Sequence, residues 1–304
     1  MMRGLASFVM QGFSQAVMVV TGFAMLSLIV PPVGILASAA IGLMTLRRGG
    51  ALGASLLVAS AFCCGVLAWL TIGQVLTVVG ILLISWLPVW ALSVMLRTTR
   101  SLNVTVQSAL GFGVLIIVAN LVQSSDPTLF WKEMLAPVAE NLVEAQVMDA
   151  SQAQGFITQM AGWMTGILAA AFYLQSIVAL FLARGWQAVL YNPGGFQKEF
   201  HGLRFSSMVA LAGIVFASWL LLQGAAAPSV VRYMGLLALT AFFVQGLAVA
   251  HNVVKSAGMH VAWLFGLYIL LFVAMPYAEL VLALIGMLDP WLDFRSRSSL
   301  GSRK

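Results

Sequence analysis

Val75–Leu96 reads VLTVVGILLISWLPVWALSVML, and no Asp, Glu, Lys or Arg interrupts it. The hydrocarbon core of a bilayer is about 30 Å thick, and a helix needs about 20 predominantly apolar residues to cross it. Lipid offers the backbone no hydrogen-bond partner, so such a run must satisfy itself as a helix. Arg97 and Arg100 close the run, and basic residues of this kind hold a loop on the cytoplasmic side. At its other end the turn around Gly73 is very short. The run 51–71 that precedes it therefore forms a tight hairpin with 75–96.

Working outward, the same reading places spans over 5–29, 33–46, 104–122, 156–183, 206–223 and 233–252. Pro31-Pro32 ends the first of these, because proline lacks a donor and restricts its predecessor. The stretch 5–30 is longer than a signal-peptide core and shows no cleavage site, so it reads as a retained span. The apolar stretch 259–288 is long for one span and short for two. Parity favours a split near Pro276 into 257–275 and 277–293, since Arg3 and the tail Arg295, Arg297, Arg303 and Lys304 call for both ends on the same side. Pro276 then opens the second helix, with Glu279 in its first turn at the favourable end of the helix dipole.

The expectation is an all-α polytopic transmembrane helical bundle of about 8–10 spans, both termini cytoplasmic, in a bacterial inner membrane. Eight crossings result if the first 46 residues form a re-entrant unit and another run fails to cross. In the ten-span form Arg47, Arg48, Arg97, Arg100, Arg184, Lys198, Arg204 and Lys255 join the two ends inside. Only Lys132 and Arg232 lie outside.

Composition agrees. Of 304 residues, 62% are hydrophobic and 8% charged, where a soluble domain carries roughly 25% charged residues. The mean hydropathy is +1.02. The net charge of +6 is spread over short loops, which points to topology and away from nucleic acid. Cys63 and Cys64 sit inside an apolar run and read as small hydrophobes.

One segment differs. Residues 123–154 hold Asp126, Glu133, Glu140, Glu144 and Asp149, with Trp131, Met134, Leu135, Val138 and Leu142 at helical spacing. This predicts one external amphipathic helix near 128–150, opened by Asp126-Pro127. It is either an interfacial helix resting on the bundle or a cap over a substrate cavity. The segment 184–205, with Tyr191-Asn192-Pro193-Gly194-Gly195, reads as a cytoplasmic loop and not as a phosphate loop.

No catalytic constellation is legible: there is no His-Glu-x-x-His, no intramembrane Ser–His pair and no Asp pair on opposing spans. Asp289 and Asp293 precede Arg295, and a salt bridge accounts for them. The chain reads as non-enzymatic, with no metal or cofactor. Polar residues within or at the ends of spans are the remaining candidates: Gln107, Asn120, Gln175, Gln245 and Glu279. They either bond helix to helix or line a cavity. Small residues form ridges at Gly12/Ala16, Gly34/Ser38/Gly42 and Gly162/Gly166/Ala170, suited to close packing within the chain or to docking a membrane-protein partner or a second copy. The scarcity of charge at mid-membrane depth argues against ion pumping.

Gly286-Met287-Leu288-Asp289-Pro290-Trp291-Leu292-Asp293-Phe294-Arg295 resembles the closing motif of the YybS-like bacterial membrane proteins, a family of unknown function. Gln245-Gly246-Leu247-Ala248-Val249 resembles the pattern of their penultimate region. That family is distantly similar to the S components of energy-coupling-factor transporters, six-helix vitamin or metal binders that dock through small residues. The resemblance implies an S-like bundle over 1–183, a loop over 184–205, added helices over 206–294 and a basic tail over 295–304. No vitamin-binding motif is present, and the ridges are loose counterparts of a docking motif. Two functions follow as expectations: a small-molecule or lipid binding or transport component, or a scaffold for a partner membrane protein. A reporter fused after Lys304 is expected to read cytoplasmic; a periplasmic signal would rule out the ten-span topology.

Overall fold

A computed structural model describes residues 2–123 and 126–295. Among them are thirteen helices and no strand: α1 Met2–Gln11, α2 Phe13–Ser27, α3 Gly34–Arg48, α4 Gly50–Thr71, α5 Val75–Thr99, α6 Leu102–Gln123, α7 Pro127–Glu144, α8 Ala150–Tyr191, α9 Gly195–His201, α10 Ser207–Gln223, α11 Ser229–Ser256, α12 Ala262–Val273 and α13 Tyr277–Leu292. Six of them (α4, α5, α6, α8, α10 and α11) are long and apolar enough to cross a membrane. The chain is thus an apolar helical bundle of the multi-pass membrane type.

The chain falls into two compact units, Met1–Ala109 with Leu174–Leu203, and Leu110–Tyr173 with Arg204–Lys304. Two of the three cuts fall inside helices, in α6 and α8, and the third falls after α9, between Leu203 and Arg204. The 184–205 segment is not a loop: α8 runs on to Tyr191 and α9 follows. At 42 residues, α8 is about 63 Å long at 1.5 Å per residue, twice a bilayer core.

In the first unit, α3 is the central element, with every residue from Ala37 to Leu46 buried. A Cβ on Gly42 would press on Ala183 of α8 and Ser93 of α5, and one on Gly53 would meet Thr45. Bare backbone at these points lets α3 lie between its neighbours. The expected span 5–29 is broken at Gly12, which takes an extended conformation, φ −171° and ψ 171°. Glycine is a poor helix interior residue, and Gln11, Ser14 and Gln15 flank it with polar groups. The continuous apolar helix after the break is only Phe13–Ser27. α1 buries Ala6 and Val9 and exposes Arg3, Ser7 and Gln11, an amphipathic pattern.

In the second unit, α7 starts as expected. Asp126 accepts from the Thr128 N–H at 2.9 Å, with Pro127 in the first turn. It stops at Glu144, short of 150. Gln146 adopts the left-handed conformation (φ 57°), and the N–H groups of Gln146 and Val147 donate to Val143 O and Leu142 O at 3.0 Å each. This is a Schellman ending. α8 then starts six residues earlier than the apolar run suggests. Asp149 accepts from the Gln152 N–H at 2.8 Å while its own N–H donates to Gln152 Oε1 at 3.2 Å, a reciprocal capping box. Trp131 Nε1 donates to Thr165 at 2.9 Å and ties α7 to α8.

The stretch 259–288 is two helices, as the split at Pro276 predicts, with Pro276 at the N-cap of α13 and Glu279 in its first turn. α11 and α13 cross at bare backbone. A Cβ on Gly246 would fall on the Leu282 carbonyl, and one on Gly286 would fall on the Phe242 carbonyl.

Leucine at Gly246 or Gly286 is expected to force α11 and α13 apart and destabilise the protein by roughly 1–3 kcal/mol or more. Alanine at Gly266, in the interior of α12 where a Cβ meets nothing within 4 Å, is expected to leave the unfolding midpoint in detergent unchanged or raise it slightly. Asp149's carboxyl is held below the ordinary aspartate range, first by the Gln152 N–H and then by the Ser151 hydroxyl. Its cap therefore contributes above the unfolded value of about 3.9 and is lost as pH falls through the folded value. Hydrogen exchange at the start of α8, corrected for intrinsic rates, is expected to accelerate in that window, and Asp149→Asn to abolish the dependence.

Candidate functional site

An α-helix leaves its last four carbonyls without intrahelical partners. At the end of α3 this need is met by distant side chains. Leu46 O accepts from Arg97 Nη1 at 2.7 Å and from Gln187 Nε2 at 3.4 Å. Arg97 stands in the last turn of α5, so its charge also suits that helix's negative end. The ends of α3 and α5 thereby meet the last two turns of α8.

Between them lies a cavity of about 480 Å³ lined by Leu46, Leu96, Arg97, Arg100, Arg184, Gln187 and Glu199. Arg184 is bound bidentately by Glu199, Nε to Oε2 at 2.9 Å and Nη2 to Oε1 at 2.5 Å, and its Nη1 donates to Gln187 Oε1 at 3.2 Å. Glu199 is carried by α9, which sits on α8 through Phe181, Phe196 and Phe200, with ring centroids 5.4–5.9 Å apart.

Arg100 is different. It is the C-cap of α5 in the left-handed region, φ 53° and ψ 24°. Glycine is the usual residue in this conformation, and a side chain there costs about 1–2 kcal/mol. Its guanidinium makes no hydrogen bond or ion pair among the described residues. Three arginines against one glutamate leave the cavity wall with a formal excess of two positive charges. Arg47 and Arg48 lie nearby: Arg47 covers the Tyr191 ring at 4.2 Å, and Arg48 donates to Met10 O at 3.2 Å. Guanidinium forks with uncommitted N–H groups match carboxylate and phosphate oxygens.

The five polar residues singled out from the sequence do not line this cavity. Gln107 and Asn120 donate one turn back along their own helices, to Asn103 O and Ile116 O, each at 3.1 Å. Gln175 and Glu279 are half-buried on α8 and α13. Gln245 is fully buried and bridges backbones: its Oε1 accepts from the Phe205 N–H at 2.9 Å and its Nε2 donates to Gly286 O at 2.8 Å. It joins α11 to α13 and to the segment that leads into α10.

Beside it, buried Asp289 pairs with Arg295 at 3.2 Å, as the sequence suggests, and also with Arg204 at 3.5 Å. Arg204 donates to Asp289 O at 2.5 Å and pairs with Asp293 at 3.4 Å.

The small-residue ridges are occupied within the chain where they are tightest. Gly42 faces Ala183 and Ser93, and Gly166 faces Tyr233 and Leu236. Gly34 faces Ser27, Ser38 is buried and bonds back to Gly34 O at 3.2 Å, and Ala16 is buried. Ala170 is half-buried. Gly162 O accepts from Arg232 Nε at 3.2 Å. Arg232, one of the two basic residues expected outside, also donates to Ala225 O and Ala227 O at 2.9 and 2.8 Å. It is spent on capping the turn before α11.

The cavity arginines carried only a topological meaning in the sequence. Arg97 and Arg184 are 87 positions apart, and nothing local links them.

Compared with known proteins, the chain matches no family model, no curated protein and no solved structure.

Proposed function

We propose that the chain is a non-enzymatic membrane protein that binds a small molecule or lipid bearing negative charge, with the Arg97–Arg100–Arg184 cavity as its site. One observation carries this reading. Arg100 lines a polar cavity with its guanidinium uncommitted among the described residues, from a backbone conformation that glycine would hold without strain. A volume of about 480 Å³ lies within the roughly 300–1,000 Å³ of small-molecule sites. The resemblance of the 286–295 and 245–249 motifs to YybS-like proteins, and through them to S components, agrees with a binding component of a bacterial inner-membrane transporter.

The competing function is a scaffold or regulatory subunit docked through the small-residue ridges. It is less favoured, because Gly42 and Gly166 are covered by helices of the same chain.

Native mass spectrometry of the protein purified in mild detergent tests this. An anionic adduct is expected on the wild type and is expected to be lost in the Arg97→Ala/Arg100→Ala double variant. Retention of the adduct in that variant, with loss on Asn120→Ala or Gln175→Ala, would move the site elsewhere. A stoichiometric protein partner with no adduct would favour the scaffold.

A further inference from the structure

We infer that the group anchored in this cavity is a phosphate, held by Arg97 and Arg100, and that Glu199 sets its affinity by occupying Arg184. The inference rests on the cavity reading above and adds the ligand's chemical class and an internal competitor.

Charge comes first. Arg184 is neutralised by Glu199, so the uncompensated charge belongs to Arg97 and Arg100. A carboxylate would balance half of it. A phosphate monoester, at about −1.5 to −2 near neutral pH, balances nearly all. Helix C-termini repel anions, and this cavity lies at those of α3 and α5 and within two turns of that of α8. At α3, however, Leu46 O is already taken by Arg97 and Gln187. Arg97 therefore masks a carbonyl with one N–H and keeps others for a ligand. Arg100 commits none of its guanidinium among the described residues and supplies the second fork.

The surroundings fit a membrane–water boundary. Trp90 Nε1 donates to Gly50 O at 3.0 Å, Tyr191 lies under Arg47, and Arg47 and Arg48 end α3. Aromatic rings and basic residues collect at headgroup level. Basic pockets between transmembrane helices at that level take phosphate headgroups.

Glu199 completes the device. Its carboxylate grips Arg184 bidentately in the cavity wall, as a bound oxyanion would. Removing that charge frees a third guanidinium. Glu199→Gln is therefore expected to tighten phosphate binding, where a purely structural ion pair would only lose stability.

The test uses the full-length protein in nanodiscs of phosphatidylcholine alone or with phosphatidic acid, whose headgroup is a phosphate monoester. Lipid retention is read by native mass spectrometry and inorganic phosphate binding by calorimetry, with thermal stability followed in parallel. Arg100→Gly is expected to weaken binding roughly tenfold without lowering the unfolding temperature, because glycine accepts the left-handed conformation. Glu199→Gln is expected to strengthen it roughly tenfold. Selective retention of phosphatidic acid that follows these variants supports a lipid phosphate. Phosphate binding that follows them without lipid selectivity supports a free phosphorylated ligand. Arg100-dependent binding of succinate but not of phosphate or phosphatidic acid would overturn the phosphate assignment and leave the cavity standing. Absence of any Arg100-dependent anion binding would overturn both. Should Glu199→Gln not fold, the Arg100→Gly comparison decides.

Discussion

Backbone groups at the end of a helix have no partner within that helix, and lipid supplies none. Much of the polar inventory of this chain is spent on that shortage. Arg97 and Gln187 converge on Leu46 O at the end of α3. Arg48 serves Met10 O before the break at Gly12. Arg232 serves the carbonyls of the 225–227 turn and reaches Gly162 O in the interior of α8. Arg204 serves Asp289 O near the end of α13, and Gln245 bridges the Phe205 N–H to Gly286 O, a carbonyl inside α13 that Pro290 leaves without an N–H donor. A chain with only 8% charged residues thus uses several of them as helix-end partners.

Packing follows from the same economy of polar groups. Between helices in a bilayer there is little hydrophobic driving force, so close approach of backbones must supply the attraction. In the second unit the α11–α13 crossing is built on Gly246 and Gly286, and Gln245 adds two buried hydrogen bonds beside it. In the first unit α3 is enclosed because Gly42 and Gly53 offer no side chain to its neighbours. The Asp289 carboxylate is buried in the second unit with Arg204 and Arg295 around it, since a buried charge is tolerated only with partners. Against this background Arg100 stands out: its guanidinium caps nothing among the described residues, and its backbone is of the kind glycine prefers. The candidate site is where an otherwise consistent pattern of polar use is broken.

Local signals account for what was legible. The hairpin around Gly73, the start of α7 at Asp126-Pro127 and the division at Pro276 each depend on residues within one or two turns, and each is present. The corrections are also local in cause. Gly12 interrupts the first apolar run, Gln146 in the left-handed region ends α7, and the Asp149–Gln152 box starts α8 early. The last is a sequence pattern in its own right, and it outweighs hydropathy in placing the helix start.

The sequence by itself determined the solvent, the all-helical class and the positions of most apolar helices. Those properties depend on the composition of short windows and on the backbone's need to bond to itself. It named Gln245 without saying what it joins, and it assigned the arginines only to a side of the membrane. Tertiary structure alone decided which helix ends meet. It set Gln187 on a carbonyl 141 residues away and Arg204 on one 85 residues away. Capping partners at such separations are selected by geometry after packing. No window of sequence contains both members of the pair, and the cavity they enclose has no local trace.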